Sequence, residues 1–261
     1  MKVWIIRRKY LAGLAALCLC AVVGMGTAFA ARTVTVSAKA KQLPVYSVET
    51  QEKKISIGIN CAWDDPKVEQ ILDILDQYQA KATFFVVGEW CDKYPDQVRQ
   101  ISERGHEVGN HSNTHPDMTK LTREEIAADI EAAGAKIERL IGKRPAVFRA
   151  PSGAYNDMVL ETARGLGYEV IQWDVDSLDW KDPTAEKIVS RVCSKAGPGS
   201  ICLFHAGKDN TLEALPQILE QLSGQGYAFV PAGELVYPAP YTIDANGRQR
   251  LQKSDVPSKT E

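Results

Sequence analysis

The 261-residue chain carries 31 basic and 33 acidic side chains, which gives a formal net charge of −2. A nucleic-acid-binding domain would show a strong basic excess, so this balance gives no support for nucleic acid as a partner. The composition, with 44% hydrophobic and 25% charged residues, is that of a soluble globular protein, and the length suits one large α/β domain.

The N-terminus predicts export. Four basic residues among the first nine precede an uncharged stretch, residues 10–31, which is long enough to span a bilayer as a helix. The stretch contains Ala-Phe-Ala at residues 28–30, a pattern typical of a signal-peptide cleavage site. A cleaved signal peptide (residues 1–31) and an uncleaved membrane anchor through residues 10–31 both remain open. Either places the rest of the chain outside the cytoplasm, which disfavours a cytoplasmic small-molecule amidase.

Residues 32–53 are polar and predict a linker. From residue 54 onward, short apolar runs alternate with amphipathic stretches. The predicted strands cover residues 55–59, 82–87, 106–109, 146–149, 169–173, 200–204 and 227–230. The predicted helices cover residues 68–78, 96–102, 122–141, 156–166, 185–194 and 211–223. Thr122 and Glu125 have the spacing of a capping box. The domain is expected to span residues 54–237, followed by a flexible tail over residues 238–261.

Strands that alternate with helices predict a mostly parallel sheet. About seven strand–helix units favour closure into a (β/α) barrel over a small open sheet. In such folds the chemistry gathers at the carboxyl ends of the strands. The polar motifs of this chain fall just after predicted strands.

His111 and His115 lie four residues apart and could close on one metal ion, since imidazole is a common zinc ligand. His205 directly follows an apolar run, residues 201–204. Each of these histidines alone is more often a capping or structural residue. His106 is interpreted as structural, and Trp173 as a core residue.

Five segments favour a functional role for these histidines over a structural one, because the segments occur together and in order. They are ATFF (82–85), GHEVGNHSNTHP (105–116), FRAPSG (148–153), WDVDSLDW (173–180) and LFH (203–205). The set resembles the NodB-like polysaccharide deacetylases, the family-four carbohydrate esterases, over residues 54–237. Within that family it looks most like the sporulation-type, PdaB-like members.

The resemblance implies a distorted (β/α) barrel and a divalent metal, most commonly zinc. It implies removal of N-acetyl groups from a glycan polymer, such as peptidoglycan or a chitin-like glycan, with a link to sporulation. A monomer is expected. In such chemistry the metal lowers the pKa of water to about 7 and polarises the acetyl carbonyl.

The resemblance also implies individual roles. His111 and His115 are expected to bind the metal, and His205, paired with Asp179, to protonate the leaving amine. Arg149 is expected to orient acidic residues around the metal. The backbone amide of Ser152 is expected to bind the oxyanion, and Trp180 and Trp63 are expected to form apolar walls.

The first motif departs from the family pattern Thr-Phe-Asp-Asp-Gly-Pro, whose two Asp residues are the base and a metal ligand. Counting back from residues 82–85 without gaps puts Asn60 at the base position and Cys61 at the ligand position. An Asn amide cannot usefully accept a proton. The sporulation-type relatives keep the first Asp, replace the second, and carry a later acidic residue after the Trp.

Three outcomes remain open. Asp64 or Asp65 could serve as ligand or base, and Asp65 is the first candidate for both roles. The Cys61 thiolate could complete a zinc site with the two histidines. Otherwise the site is catalytically impaired. The sequence therefore supports two hypotheses: a metal-dependent polysaccharide deacetylase, or a glycan-binding pseudoenzyme on the same fold.

Overall fold

The computed structural model describes residues 42–62 and 67–252. The predicted export segment and residues Trp63, Asp64 and Asp65 lie outside the described residues. In the two described ranges, no helix combines the length and the apolar character needed to cross a membrane.

The described residues contain eleven strands. They are β1 (Ser47–Val48), β2 (Lys54–Cys61), β3 (Thr83–Val86), β4 (Glu107–Asn110), β5 (Val147–Phe148), β6 (Glu169–Val170), β7 (Val175–Asp176), β8 (Ile201–His205), β9 (Ala228–Phe229), β10 (Tyr241–Ile243) and β11 (Arg248–Leu251).

The α-helices of the described residues pack around the strands. They are α1 (Val68–Gln77), α2 (Gly88–Lys93), α3 (Pro95–Glu103), α4 (Arg123–Ile141), α5 (Asp157–Gly165), α6 (Ala185–Lys195), α7 (Asp209–Gly224) and α8 (Ala232–Leu235). The predicted helices agree with these to within a few residues. The capping box of Thr122 and Glu125 is confirmed at the start of α4. The short helices α2 and α8 were not predicted, because too few residues carry their periodicity.

The main sheet has the order β6-β5-β4-β3-β2-β8-β7, and its pairs are parallel. Strand β9 adds to the beginning of β2. The predicted distorted (β/α) barrel is thereby confirmed. Strand β2 is central and buried on both faces. Its residues Ile55, Ile57, Ile59 and Cys61 belong to the core shared with the outer helices, because successive side chains of a strand point to opposite faces.

Two segments close the opening of this curved sheet. Val45 bridges to Ile171 beside β6, and Ser47 bridges to Ser200 at the start of β8. Strand β1 also pairs in parallel with β11, which forms an antiparallel hairpin with β10. The predicted linker over residues 32–53 is therefore wrong for residues 45–48, and the predicted flexible tail is wrong for residues 241–251. Some of their pairing partners are distant in sequence, and no local sequence pattern predicts these strands.

The closure leaves no room for a side chain at Gly199. Its φ is +80°, and a Cβ there would collide with the carbonyl oxygen of Val48. Val48 cannot easily move away, because its N–H donates a hydrogen bond to the Gly199 carbonyl at 2.9 Å. We expect Gly199→Ala to lower the free energy of unfolding by about 2–5 kcal/mol, through left-handed strain and overpacking. Urea denaturation measures the change.

Gly197 is the matched control, since a Cβ there meets no atom within 4 Å. Gly197→Ala should change stability by less than about 0.5 kcal/mol. Equal, small effects of both substitutions would show that residues 45–48 do not pack against this turn.

Candidate active site

Strand register brings the chemical groups to one edge of the sheet. Asn60, near the end of β2, is the register partner of His205, the last residue of β8. On the other side of β2 the register continues through β3 and β4 to β5. The residues that follow β4 and β5, His111 and Arg149, therefore reach the same carboxyl edge.

A pocket of about 260 Å³ opens at this edge. It is lined by Asn60, Ala62, His111, His115, Ser152, Gly153, Trp173, Asp176, Trp180, Leu203 and His205. The three predicted histidines thus face one space, together with Ser152 and Trp180. Asp179 and Arg149 are fully buried and contact residues of this lining.

His111 is held in one tautomer. Its Nδ1 lies 2.7 Å from the carbonyl oxygen of Arg149, so Nδ1 carries the proton and Nε2 keeps its lone pair. That Nε2 is buried and has no hydrogen-bond partner among the described residues. The His115 ring lies beside it, with ring centroids 5.1 Å apart. Burial and the neighbouring His115 hold the pKa of His111 well below its usual value, and burial also lowers the pKa of His115.

Neutral imidazoles with an unpartnered nitrogen are the form that binds a metal. Two imidazole donors, His111 and His115, fit a divalent cation. However, no group of three or more His, Cys, Asp or Glu side chains within residues 42–62 and 67–252 could hold a metal ion. A third ligand of these residue types is therefore not found within these ranges, and Asp64 and Asp65 lie outside them.

The structure contradicts the Cys61 alternative. Cys61 is fully buried in the core with Val68, Trp90 and Cys91 and does not line the pocket. Burial also raises the pKa of its thiol, which disfavours the thiolate. Strand alternation explains this: Asn60 and Ala62 face the pocket, so the residue between them faces the helices.

His205 and Asp179 form a buried pair. Asp179 Oδ1 lies 2.7 Å from Nδ1 of His205, and Oδ2 accepts hydrogen bonds from the His205 backbone N–H and the Thr211 hydroxyl, both at 2.7 Å. Asp179 is 0% exposed, and these three donors stabilise its buried charge. A carboxylate that holds Nδ1 fixes the ring and stabilises its protonated form.

Arg149 is bound to neutral groups. Its guanidinium is 0% exposed. Nη1 donates to the amide oxygen of Asn60 at 3.0 Å and Nη2 to the Gln172 carbonyl at 3.3 Å, while Cζ lies 3.9 Å from the centroid of the Phe85 ring. Burial lowers its pKa to about 9, so it remains a cation at neutral pH. Among the described residues the side-chain hydrogen-bond partner of Arg149 is Asn60. The expectation that Arg149 orients acidic residues around the metal stays a prediction, because Asp64 and Asp65 lie outside the described residues.

The turn Pro151–Gly153 supplies the opposite wall. Ser152 adopts a left-handed backbone with φ +54°, a conformation that costs a non-glycine residue about 1–3 kcal/mol. Trp173 packs on this turn, since a Cβ at Gly153 would lie 2.8 Å from its ring.

Trp173 and Asp176 were missed as site residues. Their position after a strand, inside the fourth motif, was the available signal. His106 lies in the second motif but outside the pocket, and its Nδ1 accepts the Ala82 N–H at 3.2 Å.

Comparison with known proteins agrees with this geometry. The polysaccharide deacetylase family profile matches residues 47–171. A peptidoglycan-N-acetylglucosamine deacetylase of Bacillus cereus is 37% identical, and the match covers 73% of this chain and 92% of that protein. The uncharacterized protein YlxY of Bacillus subtilis is 35% identical over 74% of this chain and 60% of its own length. This chain thus spans less than two thirds of YlxY.

Solved structures give the same result. BA3943 of Bacillus anthracis, a CE4 family pseudoenzyme, is 35% identical with a TM-score of 0.71, and the match covers 74% of this chain and 68% of that one. A BA3943 mutant with restored enzymatic activity has the same identity and TM-score, with coverages of 74% and 70%.

The curved parallel sheet and the pocket at its carboxyl edge are those of a distorted (β/α) barrel of the NodB type. The chain belongs to the polysaccharide deacetylase family with the NodB domain, also called CE4. The narrower PdaB-like likeness stays a prediction.

The Asn60–Arg149 contact predicts opposite effects of two substitutions on stability in metal-free protein. Asn60→Ala removes the acceptor of a buried cation, so we expect a loss of about 1–3 kcal/mol in the free energy of unfolding. Asn60→Asp places a carboxylate against the guanidinium, and we expect a gain of similar size at pH 7 because hydrogen bonds to charged groups are stronger.

Urea denaturation at pH 7 in the presence of a chelator measures both changes. The gain of Asn60→Asp should vanish as the pH falls and the paired carboxylate becomes protonated, because its pKa is expected to be depressed in the folded state. If Asn60→Asp proved less stable than the parent, the desolvation of the new carboxylate would outweigh its attraction to Arg149.

Proposed function

We propose that this protein binds N-acetylated cell-wall glycan in the pocket at the carboxyl edge of the barrel, and that its deacetylase chemistry is impaired by Asn60. The observation that carries the proposal is the contact between the Asn60 amide oxygen and the buried Arg149 guanidinium. At the position that the family uses for a carboxylate base, this chain presents an amide.

The amide cannot take a proton from an attacking water at neutral pH. Its oxygen is already used as an acceptor by Arg149, which further removes it from that role. Loss of a general base typically lowers the rate roughly 10²–10⁴-fold. The similarity to the pseudoenzyme BA3943 also supports impaired chemistry in this chain.

The rest of the site is suited to recognise an acetamido group. Trp173, Trp180 and Leu203 provide apolar lining beside polar groups, as the acetyl methyl and the sugar face require. The backbone N–H of Ser152 belongs to a turn on the pocket wall, where it could donate to a carbonyl oxygen. His205, held by Asp179, would protonate the nitrogen of the leaving amine.

A divalent metal, most commonly zinc in this chemistry, would be held by His111 and His115. When bound it would polarise the acetyl carbonyl and provide an activated water. The unpartnered Nε2 of His111 supports such a site. Asp65 remains the proposed third ligand.

A second candidate function is full metal-dependent deacetylase activity with Asp65 as the missing carboxylate. The intact His205–Asp179 pair favours it, since a protein that only binds glycan has no need of a fixed proton donor. Peptidoglycan and chitooligosaccharide deacetylases are among the relatives. They support an aminosugar glycan as the substrate class for both candidates. Action outside the cytoplasm, a membrane anchor or signal peptide, a monomeric state and a link to sporulation belong to this proposal as well.

Asn60→Asp separates the two candidates. In the full-length protein with added Zn²⁺ or Co²⁺, we expect this substitution to raise acetate release from peptidoglycan or chitooligosaccharides by roughly 10²–10⁴-fold. Asn60→Ala should give no increase, because it supplies no base. Cosedimentation with insoluble peptidoglycan should be similar for the parent and Asn60→Asp.

A parent protein that already releases acetate, with no gain from Asn60→Asp, would reject the impaired-enzyme proposal. Loss of that activity on Asp65→Asn would then establish the second candidate. A parent protein that neither binds glycan nor gains activity from Asn60→Asp would reject both.

A further inference from the structure

The segment between the two site histidines, residues 111–115, has no regular secondary structure. Two of its residues adopt a left-handed backbone: Ser112 has φ +71° and His115 has φ +56°. Residues with a side chain hold this conformation only where their surroundings impose it. Within the segment, Ser112 Oγ accepts the backbone N–H of His115 at 2.9 Å. The remaining contacts that fix the two imidazoles come from outside the segment.

One carboxylate provides the side-chain contacts from helix α4. Asp129 Oδ1 accepts the backbone N–H of Asn113 at 2.7 Å. Its Oδ2 accepts the backbone N–H of Thr114 at 3.2 Å and the Thr114 hydroxyl at 2.9 Å. Asp129 thus binds two of the three backbone N–H groups that lie between His111 and His115, and the third, that of Ser112, donates to the side chain of Asn110.

The opposite side of the segment is held by main-chain groups at the start of α2. The N–H of Gly88 donates to the Ser112 carbonyl and the N–H of Glu89 donates to the Asn113 carbonyl, both at 2.9 Å. A Cβ at Gly88 would press on Asn113, so glycine permits this close approach. The segment is therefore clamped between two helices, and Asp129 is the part of the clamp that substitution can remove without touching the main chain.

We propose that Asp129 is a positioning residue for His111 and His115. Its carboxylate holds residues 113 and 114 so that both imidazoles face one cation, and its loss weakens divalent-ion binding without removing a ligand. The proposal rests on the proposed function in one respect, that these two histidines hold a divalent ion. Loss of partners that orient metal ligands typically lowers metal affinity 10–100-fold.

The test uses the full-length protein and two readouts. Competition with a chelating indicator gives the zinc dissociation constant, and hydrogen exchange in the presence of EDTA gives the protection of the Asn113 and Thr114 amides. Asp129→Asn keeps the volume of the side chain but loses the charge and one acceptor. We expect zinc binding to weaken about 10-fold in Asp129→Asn and about 10–100-fold in Asp129→Ala. In both variants we expect the Asn113 and Thr114 amides to exchange about 10-fold faster than in the parent protein. Thr114→Val, which removes only the hydroxyl contact, should change zinc affinity less than about 3-fold.

Glu131→Ala is the matched control. Glu131 lies on the same helix and pairs with Arg144 at 2.6 Å, away from the histidine segment. Its removal should leave zinc affinity and the exchange of residues 113 and 114 at parental values, even if overall stability falls. This separates positioning from a general loss of stability.

Parental zinc affinity and parental amide exchange in Asp129→Asn would overturn the proposal. If the parent protein bound no zinc, the proposed metal site would fail, and hydrogen exchange alone would decide on Asp129. Unchanged exchange in that case would reject its role, whereas faster exchange in Asp129→Asn would support it.

Discussion

The Arg149 guanidinium is a cation completely removed from water inside the curve of the sheet, and the site is arranged around it. Gly58 on β2 leaves the space that it fills, since a Cβ there would lie 2.5 Å from Nη2. The Phe85 ring covers one face of the guanidinium. The backbone carbonyl of Arg149 also accepts the hydrogen bond from Nδ1 of His111. A single residue after β5 therefore couples the inner face of β2 to the tautomer of a histidine that follows β4.

A buried charge demands strong partners, and here the two halves of the site differ. The carboxylate of Asp179 is balanced by three donors, including both the ring and the backbone of His205. The cation of Arg149 is met by an amide oxygen and a backbone carbonyl. Neutral acceptors stabilise a buried guanidinium less than a carboxylate would. The proton-donating group, His205, is thus paired with a carboxylate. At the position of the base, the described residues place no negative charge beside Arg149.

Long-range contacts also determine the shape of the pocket. Residues 45–48 close the sheet between β6 and β8, and the clamp formed by α2 and α4 holds the histidine segment in a strained conformation. Strain of this kind occurs at functional sites when the surrounding structure fixes it. The described chain maintains both features through contacts between residues that are far apart in sequence.

The local pattern of the sequence determined most of the elements, because the helical and strand periods repeat within a few residues. It also determined the association of His111, His115 and His205 through motif order, and the position of Asn60 through a gap-free count. The strand register now places Asn60 beside His205.

Tertiary structure alone decided the rest. Whether Cys61 faces the pocket or the core depends on the register of β2. A shift of one residue would move every side chain of the strand to the opposite face. Packing between separate elements brings three further residues to the site or to its support: Trp173, Asp176 and Asp129. The closing strands over residues 45–48 and 241–251 depend on partners distant in sequence, and a two-residue strand carries too short a pattern to be recognised without its partner.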